Sequence, residues 1–314
     1  QPEIECESGS PAVSLPDSPK ANLMTIRILH PDDEVVLETF LLPRIESSLF
    51  LLGNMRIAGL ADNGRPYQGT YAAAFADGAI VGAAALFWNG MLVVQAPEQL
   101  DDVWRTAVAA ADRPIQGLIG PADQVQRVKD SLAITADAIQ LDETEHLYSL
   151  ALADLMVPEK LQTGVWHGRR ITTDDLDQQT AWRVAYMIEE MHEHDTPELW
   201  QRARHSLEFA ESMGRVWVLE EDGRIVASSG FNAAAQEAVQ VGGVYTPPEW
   251  RSRGYGRGVV AASLLNARAE GVSTGILFTG VDNIPAQKAY MALGFQRVGD
   301  YRLLHLRRPL RYAG

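Results

Sequence analysis

Residues 241–258 read VGGVYTPPEWRSRGYGRG. The apolar run ending at Tyr245 predicts a strand, Pro247 and Pro248 turn the chain, and Gly254 and Gly256 open a helix. A helix N-terminus directs unpaired backbone N–H groups outward and carries the positive end of the dipole. Glycines let the backbone approach a ligand where a Cβ would collide. Arg251, Arg253 and Arg257 add charge that suits a pyrophosphate. The spacing is not that of a Walker loop, which needs Gly-Lys-Ser/Thr. Nor is it the dinucleotide fingerprint, which needs a third spaced glycine and a following parallel strand.

Outward from this loop the chain alternates strand-like and helix-like runs, an α/β (α+β) pattern. Strands are expected at 169–171, 216–220, 225–232 and 238–245, and a long helix from 173 to about 192. A second helix is expected at 197–211. Beyond the loop come a helix (256–270), a strand (275–279), a helix (285–293) and two closing strands. The same order occupies residues 25–152. A strand at 25–29 and helical patterns precede three β-rich runs (71–75, 80–88, 91–95), punctuated by Asp77-Gly78 and Asn89-Gly90. A helix at 98–111, a strand at 116–119, a helix at 122–132 and a strand near 148–152 follow. GLIGPADQVQRVKDSL in the first half echoes ILFTGVDNIPAQKAYMAL in the second. A repeat of roughly 140 residues is too long for a solenoid unit and indicates duplicated domains. Residues 1–22, rich in Ser, Pro and acids, read as a disordered tail, which makes Cys6 incidental. Residues 156–166 read as a linker.

The segment Arg251-Ser252-Arg253-Gly254-Tyr255-Gly256 resembles the Arg/Gln-x-x-Gly-x-Gly/Ala signature of the GNAT superfamily of acetyl-CoA-dependent N-acetyltransferases. Asn283 and Tyr290, followed by Gly294-Phe295, are similar to the family's second signature. The resemblance implies two tandem GNAT-like domains, 23–155 and 167–314, each a mixed, mostly antiparallel sheet flanked by helices. It implies acetyl-CoA as co-substrate. Gly243, Val244, Tyr245 and Thr246 would pair through their backbone with the pantetheine arm. Arg251, Ser252, Arg253, Gly254, Tyr255, Gly256 and Arg257 would hold the pyrophosphate, and Asn283 would contact the pantetheine side. Tyr290 would protonate the leaving thiolate. The first half departs from this pattern. After Val94-Gln95-Ala96-Pro97 it reads EQLDDVWRTAV, with acids where phosphate would sit and no counterpart of Asn283 or Tyr290. It is expected to be a degenerate copy that binds no acetyl-CoA.

The chain has 314 residues, with 41 acids against 27 bases, a net charge of −14. Such a balance disfavours a nucleic-acid partner, which needs a basic face, and an anionic membrane surface. It leaves room for a cationic acceptor. A single cysteine fits a reducing compartment, and a cytoplasmic location is expected. Helical spacing puts Trp182, Tyr186, Glu189 and Glu193 on one stripe of the helix that borders the acceptor site in this fold. Aromatics followed by carboxylates form a candidate ammonium seat, extended by Glu190, Asp195 and Glu198. The acidity suits a cationic small-molecule acceptor with a primary amine, and the resemblance of an acidic chain with this layout to aminoglycoside-modifying acetyltransferases implies an aminoglycoside antibiotic as first example. Alternatives are a protein, peptide or amino-acid-like amine and, in another class, a non-catalytic acyl-CoA-binding module. Where some family members carry a Glu base, the strand offers Gln240, with Glu237 near its start, so a water-relayed proton path is expected. His192-Glu193-His194-Asp195 lacks a second ligand pair, and no metal is expected. A homodimer through a strand edge or helical face fits such folds.

Overall fold

A computed structural model describes residues 24–312. The tail expected over 1–22, with Cys6, lies outside the described residues. The first half runs β1 (Met24–Ile28), α1 (Glu34–Leu41), α2 (Ile45–Ala58), β2 (Gly69–Ala76), β3 (Ala79–Phe87), β4 (Met91–Gln95), α3 (Leu100–Ala110), β5 (Ile115–Pro121), α4 (Ala122–Ser131) and β6 (Ile139–Ala151). A short helix, α5 (Glu159–Gln162), leads into the second half. That half runs β7 (Trp166–Arg170), α6 (Leu176–Met191), α7 (Pro197–Ser212), β8 (Val216–Glu221), β9 (Arg224–Ala234), β10 (Ala238–Tyr245), α8 (Tyr255–Ala269), β11 (Thr274–Gly280), α9 (Ile284–Met291) and β12 (Gln296–Leu310). Local chemistry explains the boundaries. Asp77-Gly78 and Asp222-Gly223 each take two successive positive φ angles, the turn geometry that matches strand twist in a hairpin. Thr172 and Asp175 form a capping box ahead of α6, and Arg169 grips Asp175 with both terminal nitrogens.

All twelve strands join one sheet in the order β1-β2-β3-β4-β5-β12-β6-β11-β10-β9-β8-β7. The order reveals an exchange. β12, the last strand of the second half, pairs with β5 of the first, while β6, the last strand of the first half, pairs with β11 of the second. β6 and β12 then pair antiparallel with each other at the centre. Two sequence expectations are corrected here. The strand near 148–152 begins at Ile139, and the two closing strands are one strand with register shifts. The boundary at 156–166 divides the chain but not the sheet, because each half ends by completing the other.

The core follows the sheet across the boundary. Leu37, Leu41, Leu51 and Leu52 of α1 and α2 pack in one cluster with Ala233 of β9, Ala238 of β10, Ile276 of β11 and Tyr301 of β12. α2 approaches so closely that a Cβ on Gly53 would lie 3.2 Å from the Ala234 carbonyl oxygen. Arg56 of α2 adds an ion pair to Glu237 at 2.5 Å. Separate clusters form where α8 packs on the second half and α3 on the first. No helix among the described residues is long and apolar enough to cross a membrane.

Candidate active site

β10 and β11 run parallel and pair only from Ala238 to Val241. Beyond that point the β10 register against β9 shifts, and Gly243 adopts φ +58°, a left-handed conformation that favours glycine. The two strands part there, and a cavity of about 540 Å³ opens between them. The backbone of Val241–Val244 forms one wall, and Thr279–Asp282 with Asn283, Ala286 and Tyr290 of α9 form the other. Gly256 and Arg257, at the start of α8, close the outer end.

Gly254 takes φ +82° as the N-cap of α8 and offers no side-chain cap, so the helix N-terminus keeps N–H groups for a ligand. A Cβ on Gly256 would stand within 3.7 Å of the Val244 and Thr246 side chains, on the slot wall. The Nε of Arg257 is buried without a hydrogen-bond partner. An anionic group such as a pyrophosphate fits this set of donors.

The other expected loop residues divide. Arg251 is engaged elsewhere, pairing with Glu189 at 2.6 Å and donating to the Thr246 carbonyl at 3.0 Å. Arg253 lies over the Trp250 ring, and Ser252 takes φ +63° on an exposed turn. The Tyr255 side chain is structural. It is buried beside Trp166 and Trp250, and its hydroxyl bonds the Glu221 carboxylate. The Tyr245 ring meets Trp182 and faces a second cavity rather than the slot. Asn283 lines the slot and also caps α9, accepting from the Ala286 N–H at 3.2 Å.

Tyr290 lies on the slot wall with its ring edge against Phe295. No hydrogen bond holds its hydroxyl among the described residues. Burial pushes the phenol well up, and Tyr186, Glu145 and Glu190 push in the same direction. The proton therefore stays on the oxygen at neutral pH, as a proton donor requires.

The inner end of the slot holds two carboxylates, Glu143 and Glu145, that the sequence reading did not assign. Glu143 and Glu145 of β6 line it with Tyr186 and Glu190 of α6. Burial, reinforced by Glu143 and Glu190, raises the Glu145 carboxyl to about 7. Gln240 is no substitute. It is buried, and its amide donates to the Val241 carbonyl. Glu237 is tied to Arg56. The strand exchange is what brings Glu145, a first-half residue, beside Tyr290.

The expected ammonium seat does not form. Trp182 and Tyr186 line cavities, but Glu189 is paired with Arg251 and Glu193 with Arg202 at 2.9 Å. The α6 carboxylate that lines the slot is Glu190, one position off the stripe and among the residues expected to extend it. The second cavity, about 770 Å³, lies between the halves and meets the slot at Tyr186, Gly242 and Gly243.

Around the equivalent strands of the first half, β4 and β5, the chain's own residues bond one another. Gln124 of α4 is buried and accepts from the Ala96 N–H at 2.7 Å. Ser47 donates to Gln95 at 2.7 Å. Asp101 and Asp102 occupy the first turn of α3.

Residues 185–295 match the family model described as Acetyltransferase (GNAT) family. No curated protein matches the sequence. Among solved structures, a Drosophila protein is 13% identical over 90% of this chain and 98% of its own, with a TM-score of 0.62. A GCN5-related N-acetyltransferase from Kribbella flavida is 18% identical, covering 84% of this chain and 95% of its own, at 0.52. A tandem GNAT protein from the clavulanic acid biosynthesis pathway is 14% identical over 93% of this chain and all of its own, at 0.51. These likenesses reach both halves, so the fold is tandem, while the matched segment contains the splayed strand, the glycine-opened helix and Tyr290. Residues 185–295, within the second half of this chain, are thus similar to the acetyltransferase (GNAT) family.

Proposed function

We propose that the protein transfers an acetyl group directly from acetyl-CoA to a primary amine, at a single slot in the second half. The observation that carries this reading is the junction of β10, α8 and α9. A parted strand, an uncapped helix N-terminus with Arg257, and an unpartnered phenol line one cavity. Acetyl-CoA supplies an activated acyl group. The Val241–Val244 backbone orients its arm, and Arg257 with the α8 N–H groups holds its pyrophosphate. Glu145 takes the proton from the incoming ammonium, because a carboxyl titrating near 7 is both ionised enough and basic enough to act. The amine nitrogen bonds the acyl carbon and the carbon–sulfur bond breaks; Tyr290 delivers its proton to sulfur, and the second proton leaving the nitrogen restores the phenol. A direct carboxylate base replaces the expected water relay. The first half, where Gln124 takes the Ala96 N–H and acids open α3, binds no acetyl-CoA and serves the site through β6.

A pure acyl-CoA-binding module has no use for the Tyr290 hydroxyl. Thiol release from acetyl-CoA, measured with a panel of amines, separates the readings. Tyr290→Phe should bind acetyl-CoA as the wild type does and lower kcat by roughly 10²-fold. Tight binding with no turnover of any amine by the wild type would favour the module.

A further inference from the structure

The cavity between the halves is not built for a polycation. About a third of its lining comes from the first half, including Phe50, Tyr67 and Trp88, and none of its lining residues is an Asp or Glu. Tyr67 bridges the halves. Its ring lies 4.9 Å from Trp88 and stacks on Phe209 of α7 at 5.4 Å, and it holds φ +68°, unusual for an aromatic residue.

Arg183, Arg202, His205 and Arg215 also line this cavity. Arg202 is neutralised by Glu193. Among the described residues, no carboxylate or hydrogen-bond acceptor meets the guanidinium of Arg183 or Arg215. Arg183 rests on the Tyr186 ring, beside Gly243 where the two cavities meet. Arg215 is half-buried, and burial lowers its pKa, opposed only by the nearby Tyr67 phenol. A charge taken out of water without a partner is expensive, so a partner is expected to arrive. Two further groups face the same need. Gln179 and Ser229 line the cavity, each at most 2% exposed, and the Gln179 Nε2 and Ser229 Oγ atoms have no hydrogen-bond partner.

We infer that this cavity is the acceptor site and that the acceptor is an amine carrying an anionic group on an apolar body, its anion bound by Arg215 and Arg183. The inference rests on the acetyl-transfer reading and names its substrate class. The two cavities are oppositely charged: Glu143, Glu145 and Glu190 line the slot, Arg183 stands where the cavities meet, and Arg215 lines the second cavity. A zwitterion such as an aromatic amino acid spans that polarity with its ammonium towards Glu145. An aminoglycoside presents only positive charge to the arginines. A planar guanidinium fork accepts a carboxylate or a phosphate, so both anions are to be tried.

Calorimetric titration tests this without requiring turnover. The probes are L-phenylalanine, phenethylamine (the same amine without its carboxylate), phosphoethanolamine and spermidine, each added to the full chain with and without CoA. Phenylalanine should bind at least about tenfold tighter than phenethylamine. Arg215→Gln should erase that preference, while Arg215→Lys should keep part of it, which separates lost charge from a damaged fold. Preference for phosphoethanolamine, likewise lost in Arg215→Gln, upholds the anion seat with phosphate as its anion. Tighter binding of phenethylamine or spermidine, no binding of either anionic amine, or a preference unchanged in Arg215→Gln would overturn the inference. Failure of acetyl transfer itself appears separately, as absent thiol release, and leaves these binding preferences readable.

Discussion

Tyr290 and Asn283 were legible because their spacing from Gly294-Phe295 forms a pattern that survives without a structure. Glu145 was not, because nothing local marks its role. Its only signal is that Leu141, Glu143, Glu145 and Leu147 alternate, placing two carboxylates on a strand face that also carries buried leucines. Arg183 and Arg215 stand out only by lacking partners, which no sequence displays. The raised carboxyl of Glu145 has a consequence for stability. A group whose folded-state pKa lies above its ordinary 4.5 favours folding while protonated, and that contribution is lost as pH rises through about 7. Glu145→Gln should therefore raise Tm at pH 8 and change it little at pH 5, as thermal melts at the two values would register. An equal Tm shift at both would mean that the carboxyl titrates normally.

At the scale of elements, the β10–α8 junction was readable, since glycines and prolines are strong punctuation. The division of labour among its arginines was not. Three similar residues carry the same formal charge, yet Glu189 takes one, Trp250 another, and only Arg257 lines the slot. The closeness of α8 to β10 gives a direct test. A valine at position 256 would extend from the slot wall into the space left for the pyrophosphate. Gly256→Val should leave the far-ultraviolet circular dichroism unchanged and weaken acetyl-CoA binding by about tenfold or more, a loss of roughly 1.4 kcal/mol. Unchanged affinity would mean that the ligand does not cross this helix end.

The whole molecule departs most from its sequence. The repeat in the chain predicts two units, and the tandem pattern of strands and helices bears that out, but the last strand of each unit belongs to the other's sheet. Exchange leaves no local trace, because β6 and β12 keep strand patterns whichever partner they take. A core shared between α1, α2 and β9–β12 should make unfolding one event. Scanning calorimetry should give a single transition whose calorimetric and van't Hoff enthalpies agree; two resolved transitions would show that the halves fold apart. The same exchange makes the proposed site depend on both halves, since Tyr290, its proposed acid, comes from one and Glu145, its proposed base, from the other. The pH dependence of kcat/KM, compared between wild type and Glu145→Gln on one amine, tests that dependence most directly. The wild-type value should rise through a midpoint near 7. Glu145→Gln should lose that rise and fall by roughly 10²-fold on its plateau. Identical profiles and rates in the two proteins would contradict a site completed by the first half.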